Sequence, residues 1–203
     1  MEIKEIISHY KELSQECLED IAGRVELITA QPGEAVVTQG EPCDAIYFNR
    51  NGLMRVVYKF GKTENTILFG GEGDVYTSLH SFFAGEPAAF SLIAVEETDI
   101  FALYFNDVKE LKQKFVEFMD WLLYMCMGQL YALENRYVRY TTTTAEERYL
   151  SFLANDAPYI ERVTAKRMAQ GVPLKHIASY LNITPETFSR LRRKLVSKKE
   201  NNS

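Results

Sequence analysis

At 203 residues the chain has room for one or two domains, and its 46% hydrophobic and 25% charged residues exclude the disordered, collagen-like and disulfide-stapled classes. No window approaches 18 uncharged apolar residues, and Met1 to Glu5 lacks a basic n-region with an apolar run, so neither a membrane span nor a secretory signal is expected and a cytoplasmic protein is. The net charge of −5 hides an asymmetry: residues 1–140 carry 12 basic and 22 acidic side chains, net −10, whereas residues 141–203 carry 11 and 6, net +5. A basic tail on an acidic body points to a polyanionic partner. Cys17, Cys43 and Cys126 are odd in number and far apart, which fits reduced core thiols and excludes CxxC-type zinc or iron–sulfur frameworks.

Taken in chain order, Ile3, Ile6, Ile7, Tyr10 and Leu13, then Cys17, Leu18 and Ile21, have helical spacing with Ser14 as an internal break, predicting one or two amphipathic helices. From Arg24 to about Phe105 the pattern changes to short β-rich runs punctuated by Gly, Pro and Asn: Val25–Ile28, Ala35–Thr38, Ala45–Asn49, Leu53–Tyr58, Asn65–Phe69, Phe90–Val95 and Asp99–Tyr104. Strands without intervening helices predict an antiparallel barrel or jelly roll and exclude a Rossmann sheet. After Asn106-Asp107 a helix without Pro is predicted to about Tyr140. It carries two apolar stripes: Val108, Leu111, Phe115, Phe118, Leu122, Met125, and Met119, Leu123, Cys126, Leu130, Leu133, Tyr137, Tyr140. Two stripes need two partners. The first is expected on the roll and the second, from Met119 to Tyr137, in a symmetric homodimer seam; burial within a single chain is the alternative.

The threonine run 141–144 is expected to break this helix, with Thr144 and Glu147 forming a capping box for the next, whose Tyr149, Phe152 and Leu153 face a small core and which Pro158 ends. Residues 173–195 then read as a helix-turn-helix. Leu174, Ile177, Ala178 and Leu181 make one stripe; Asn182 suits a left-handed turn; Thr184 caps a second helix that opens on Pro185 and buries Phe188, Leu191 and Leu195. Its outer face carries Glu186, Ser189, Arg190 and Arg193, placed to read base edges in a major groove. Thr187, Lys194, Lys198 and Lys199 are placed for phosphates. An ordinary helical hairpin with a basic face is the competing reading.

The stretches Pro32 to Glu41, Asp44 to Phe48 and Gly52 to Val56, together with the helix-turn-helix, resemble the Crp/Fnr family of bacterial transcription regulators over essentially the whole chain. The resemblance implies an α+β architecture: an N-terminal antiparallel β jelly roll of the cyclic-nucleotide-binding type with N-terminal helices (1–106), a dimerisation helix (107–140), and a C-terminal all-α helix-turn-helix DNA-binding domain (141–203). It also implies binding to palindromic double-stranded DNA as a homodimer, contact with RNA polymerase, and a small-molecule effector of unknown identity. In the expected ligand cassette, Gly73-Asp74-Val75 and Ala88-Ala89-Phe90-Ser91, Asp74 replaces the family's glutamate and no cation stands near Ala88. Residues 70–100 contain no Lys or Arg, and residues 116–140 lack the Ser/Thr that contacts the base in nucleotide-responsive members. A phosphate would lack its charge-assisted fork, so cyclic AMP binding is not expected. The roll then senses another small molecule or serves as a structural module; both readings stay open.

Three cysteines do not supply the four ligands of an iron–sulfur oxygen sensor, and His9, His80 and His176 are too dispersed for a metal site or catalytic base. No cofactor, metal, catalytic residue or membrane partner is expected, and no enzyme. At the reading helix Pro185 replaces an arginine of familiar members while Glu186, Thr187 and Arg190 match, and a β-hairpin wing after Lys199 is expected to be absent. The competing functions are a ligand-binding or interaction protein with an idle DNA-binding domain and a cupin-like metalloenzyme, for which paired histidines are lacking.

Overall fold

The computed structural model describes residues 1–154 and 165–200. Apolar residues spaced three and four apart wind the N-terminus into α1 (Ile3–Tyr10) and α2 (Gln15–Ala22), burying Ile3, Ile6 and Ile7 on the first and Cys17, Leu18 and Ile21 on the second. Ser14 separates them as the N-cap of α2, its side chain accepting from the Cys17 N–H.

Eight strands follow: β1 (Glu26–Ala30), β2 (Ala35–Val37), β3 (Ala45–Asn49), β4 (Met54–Phe60), β5 (Thr63–Gly70), β6 (Val75–Tyr76), β7 (Ser91–Ala94) and β8 (Thr98–Tyr104), with a short helix α3 (Leu79–Ala84) between β6 and β7. They pair antiparallel into two four-stranded sheets, ordered β1-β8-β3-β6 and β2-β7-β4-β5, forming a β-sandwich of jelly-roll type. Alternation along β3 explains its complete burial: Ala45 and Tyr47 face the sandwich interior with Met54, Tyr76, Leu92 and Ile100, while Ile46 and Phe48 face the helices. At the β3–β4 turn Gly52 has φ +87, and a Cβ there would lie within 3 Å of Thr98 and the Glu97 carbonyl, so only glycine lets the chain close.

Where a single helix from Asn106 to Tyr140 is expected, the chain forms α4 (Phe105–Lys114) and α5 (Val116–Thr142), divided at Phe115 in extended backbone. The change of direction lets both pieces pack on the roll. Val108 and Leu111 of α4 and Phe118, Trp121, Leu122 and Met125 of α5 join α1, α2 and the outer face of β3 and β8 in one core. Trp121, fully buried, stacks parallel to Phe118 and donates its indole N–H to the Ile7 carbonyl at 3.1 Å. Thr141 and Thr142 continue α5, their hydroxyls bonding back to the Tyr137 and Val138 carbonyls, so the break falls at Thr143.

The tail comprises α6 (Ala145–Ala154), α7 (Ala165–Gly171), α8 (Leu174–Tyr180) and α9 (Pro185–Glu200). The Thr144–Glu147 capping box forms: Thr144 N–H donates to Glu147 at 2.7 Å and Glu147 N–H to Thr144 Oγ1 at 3.3 Å. Tyr149, Ile177, Ala178, Tyr180, Leu181, Phe188 and Leu191 form a core that includes Leu53 and Phe69 of the roll. Phe152 packs against it, whereas Leu153 and Leu174, expected inside, are exposed. Pro158 lies outside the described residues, as does the side chain of Leu195.

Candidate nucleic-acid interface and ligand cassette

Asn182 adopts φ +52, the left-handed turn that carries the chain from α8 into α9. Thr184 then caps α9, its Oγ1 accepting from the Thr187 N–H at 3.2 Å, and Pro185 takes the first helical position. Phe188 and Leu191 turn inward, so the opposite face presents Glu186, Ser189, Arg190 and Arg193 to solvent. Its own backbone N–H and the Thr184 hydroxyl hold the Glu186 carboxyl below the usual glutamate range, keeping it an ionised acceptor at neutral pH. Thr187 is half-buried against the cap, and Lys194, exposed, reaches Glu146 at the start of α6. The side chains of Lys198 and Lys199 lie outside the described residues.

Sequence reasoning missed the residues that hold this unit. Arg148, nearly buried on α6, donates Nε–H to the Leu181 carbonyl at 2.8 Å, Nη1–H to Thr143 at 2.5 Å and Nη2–H to Asn182 at 3.3 Å. Arg136 of α5 donates to the carbonyls of Tyr180 and Thr66, both at 3.2 Å, and Ser179 Oγ accepts the Thr66 N–H at 2.9 Å. Thr66 lies on β5, the outer strand of its sheet, where a register shift pairs Val57 with Thr66 but Val56 with Leu68. Next to it Arg55 donates to His176 Nδ1 at 3.1 Å and to Glu64 at 2.5 Å. An arginine on an amphipathic helix reads as solvated, so no sequence signal marks Arg136 or Arg148.

In the cassette Gly73 has φ +85, and Asp74, buried, accepts the Gly71 N–H at 2.7 Å. Val75 opens β6 with its side chain toward the helix-side core. Ala88 is buried and its backbone is engaged on both sides, N–H to Glu41 and carbonyl from Gly40, each at 2.8 Å. Ala89 donates weakly to Ser78 Oγ, Phe90 packs on the interior cluster, and Ser91 Oγ accepts the Gln39 N–H. Asn49, fully buried beside this segment and bonded through its backbone to Gly73 and Asp74, has no hydrogen-bond partner among the described residues for its carboxamide. His80 is exposed on α3, and among the described residues no group of three or more His, Cys, Asp or Glu is arranged for a metal ion.

Along α5 the second stripe is open to solvent. Met119, Leu123, Leu130, Leu133 and Tyr137 are exposed, Leu123 by 62% and Tyr137 by 71%, while Cys126 and Tyr140 are half-buried. Tyr124, Met127, Tyr131 and Val138 widen it into an apolar band along one helix. Among the described residues no helix is long and apolar enough to cross a membrane.

Residues 27–115 match the family model of the cyclic nucleotide-binding domain. The fold is similar to those of several solved structures. The chain is similar to FixK2 from Bradyrhizobium japonicum at 21% identity, TM-score 0.73, over 86% of each chain. It is similar to the catabolite activator protein of Thermus thermophilus at 19% identity, TM-score 0.58, over 94% of this chain and 87% of that one. The c-di-GMP-responsive global regulator CLP of Xanthomonas campestris aligns at 15% identity, TM-score 0.68, over 92% and 93%. Comparison with curated proteins gives no match.

Proposed function

We propose that the chain is a homodimeric, sequence-specific DNA-binding transcription regulator, acting by binding rather than catalysis, with α8 and α9 as its helix-turn-helix. The observation that carries this reading is the outer face of α9: an acceptor, a hydroxyl and two guanidinium groups at Glu186, Ser189, Arg190 and Arg193 project from a helix whose N-terminus is capped and whose inner face is locked by Phe188 and Leu191. Such a face inserts into a major groove, where Arg190 forks onto guanine and Glu186 accepts from cytosine. The net +5 of residues 141–203 supplies the sequence-independent attraction to phosphates. Similarity in fold to a protein described as a catabolite activator and to one described as linking cell–cell signalling to virulence gene expression supports the class.

The exposed α5 band supports a two-fold seam, because a solvated apolar row of this length is stabilised by pairing with the same row of a second copy. The cassette supports indifference to cyclic AMP. No cation stands near Ala88, whose backbone is already bonded, and residues 70–100 hold no Lys or Arg to form a charge-assisted fork on a phosphate. Gel-shift titration of genomic fragments with the wild type and with Arg190→Ala tests the proposal: discrete high-affinity fragments lost in the variant support it, and equal, weak binding by both proteins contradicts it.

A further inference from the structure

Three successive carbonyls at the end of α8, those of Tyr180, Leu181 and Asn182, are gripped by side chains from outside the helix-turn-helix. Arg136 and the Tyr140 hydroxyl of α5 donate to Tyr180; Arg148 of α6 donates to Leu181 and Asn182. A helix normally leaves its last four carbonyls to solvent or to a following turn. Here the third arm of Arg148 also takes the Thr143 carbonyl, which belongs to the C-cap of α5, so one guanidinium ties the end of α5 to the turn that launches α9. The guanidinium lies at the C-terminal ends of two helices, where their dipoles favour a cation, and Tyr140 lies between Arg136 and Arg148 with ring-to-cation distances of 4.5 and 5.7 Å.

We propose that Arg148, with Tyr140 as its partner, is a positioning residue for DNA recognition: it sets the angle of the reading helix relative to the dimer helix, and through it the distance between the two reading helices of the dimer. The inference rests on the DNA-binding reading above. The geometry argues for orientation rather than for base contact, because Arg148 is buried and its three bonds run to backbone carbonyls on two segments, Thr143 at the end of α5 and Leu181–Asn182 at the turn before α9. Rotation about the Thr143–Thr144 junction breaks the Thr143 bond and draws α8 away from Leu53, Phe69 and Thr66 of the roll, so the Arg148 grip and the roll contacts together fix the orientation of α9. Lysine keeps the charge but, as a point donor, cannot span three carbonyls held in a planar fork.

The test uses the full chain and a pool of duplexes with randomised half-sites joined by spacers of varied length, read by sequencing the retained DNA. Wild type is expected to select one half-site sequence at one spacer length. Arg148→Lys is expected to keep the half-site sequence but lose about tenfold of its discrimination between the best spacer and its neighbours, the scale of a lost charged hydrogen bond. Tyr140→Phe, which removes one hydroxyl and keeps the ring, is expected to lose spacer discrimination in the same way but by less, and it decides the question if the lysine variant does not fold by circular dichroism. Spacer selection as sharp as wild type in the folded variants, or loss of half-site sequence with spacing unchanged, overturns the assignment. A wild type that enriches no sequence overturns the DNA-binding reading itself and this inference with it.

Discussion

Lys194 of α9 holds both carboxylate oxygens of Glu146 on α6, at 2.7 and 2.8 Å. The pair is about half exposed on each side, so its contribution to stability is about 0–1 kcal/mol. It has a larger consequence for binding, because a lysine engaged by its own chain must leave that carboxylate to reach a phosphate. Glu146→Gln is therefore expected to raise affinity for all DNA sequences alike and to steepen the salt dependence by about one phosphate charge, measured as Kd against salt concentration by fluorescence anisotropy. Lys194→Ala is expected to do the reverse, and unchanged salt slopes in both variants would remove Lys194 from the phosphate contacts.

Arg190, exposed in the second turn of α9 on the face opposite Phe188, is the residue on which the proposed base reading rests most heavily. Arg190→Ala is expected to cost about 1–3 kcal/mol at the preferred site and to relax base preference at one position per half-site. A competition assay against single-base variants of the site measures both, and unaltered preference would displace the groove assignment.

On α5, Leu130 lies in the middle of the exposed apolar band. Leu130→Glu places two like charges in the proposed seam and is expected to give monomers in sedimentation velocity, whereas the same change at exposed Gln113 on α4 leaves the dimer intact. A Leu130→Glu dimer would remove the seam from this helix.

His176 links pH to the packing of α8 on the roll. Burial, then the Arg55 guanidinium and Lys175, push its imidazole below the usual histidine value, against a smaller opposing pull from Glu64 at 3.9 Å. The folded chain therefore favours the neutral ring, whose Nδ1 accepts from Arg55. As pH falls below about 6.5 the unfolded chain takes up this proton first, so stability present above that value is lost toward the depressed folded-state value. Calorimetry is expected to show the thermal midpoint falling between about pH 7 and pH 5.5, with His176→Gln flattening part of the fall; an equal slope in the variant would show that His176 does not carry it.

Asn49 offers a separate stability test. A buried carboxamide without a partner among the described residues costs about 1–3 kcal/mol in desolvation, so the similarly sized apolar variant Asn49→Leu is expected to raise the thermal midpoint. A fall of several degrees would mean that the carboxamide is satisfied by ordered water.

Much of this architecture is legible in the residues themselves because local chemistry and tertiary fold agree. The Thr144–Glu147 spacing, the Asn182 turn and the Thr184-Pro185 helix start each need only neighbours in sequence, and each forms. The two stripes of α5 separate as their spacing implies, one buried and one open, although Trp121, three residues after Phe118 and four before Met125, belongs in the buried stripe that its spacing already marked. The break at Phe115 carries no Gly or Pro and follows from the roll surface that α4 and α5 both cover. The short helix α3, closed by Gly85 in left-handed backbone, is hidden in a loop-like stretch. The carbonyl grip of Arg136 and Arg148 joins residues more than thirty positions apart, and only the tertiary fold reveals it.

The central claim, a dimer that reads a specific palindrome without cyclic AMP, is tested most directly by selection from random duplex DNA at about physiological salt, with and without the nucleotide. One enriched palindrome with half-sites about one helical turn apart, identical in both conditions, is expected. Enrichment only when cyclic AMP is present would contradict the reading of the cassette, and no enrichment in either condition would contradict the reading of α9.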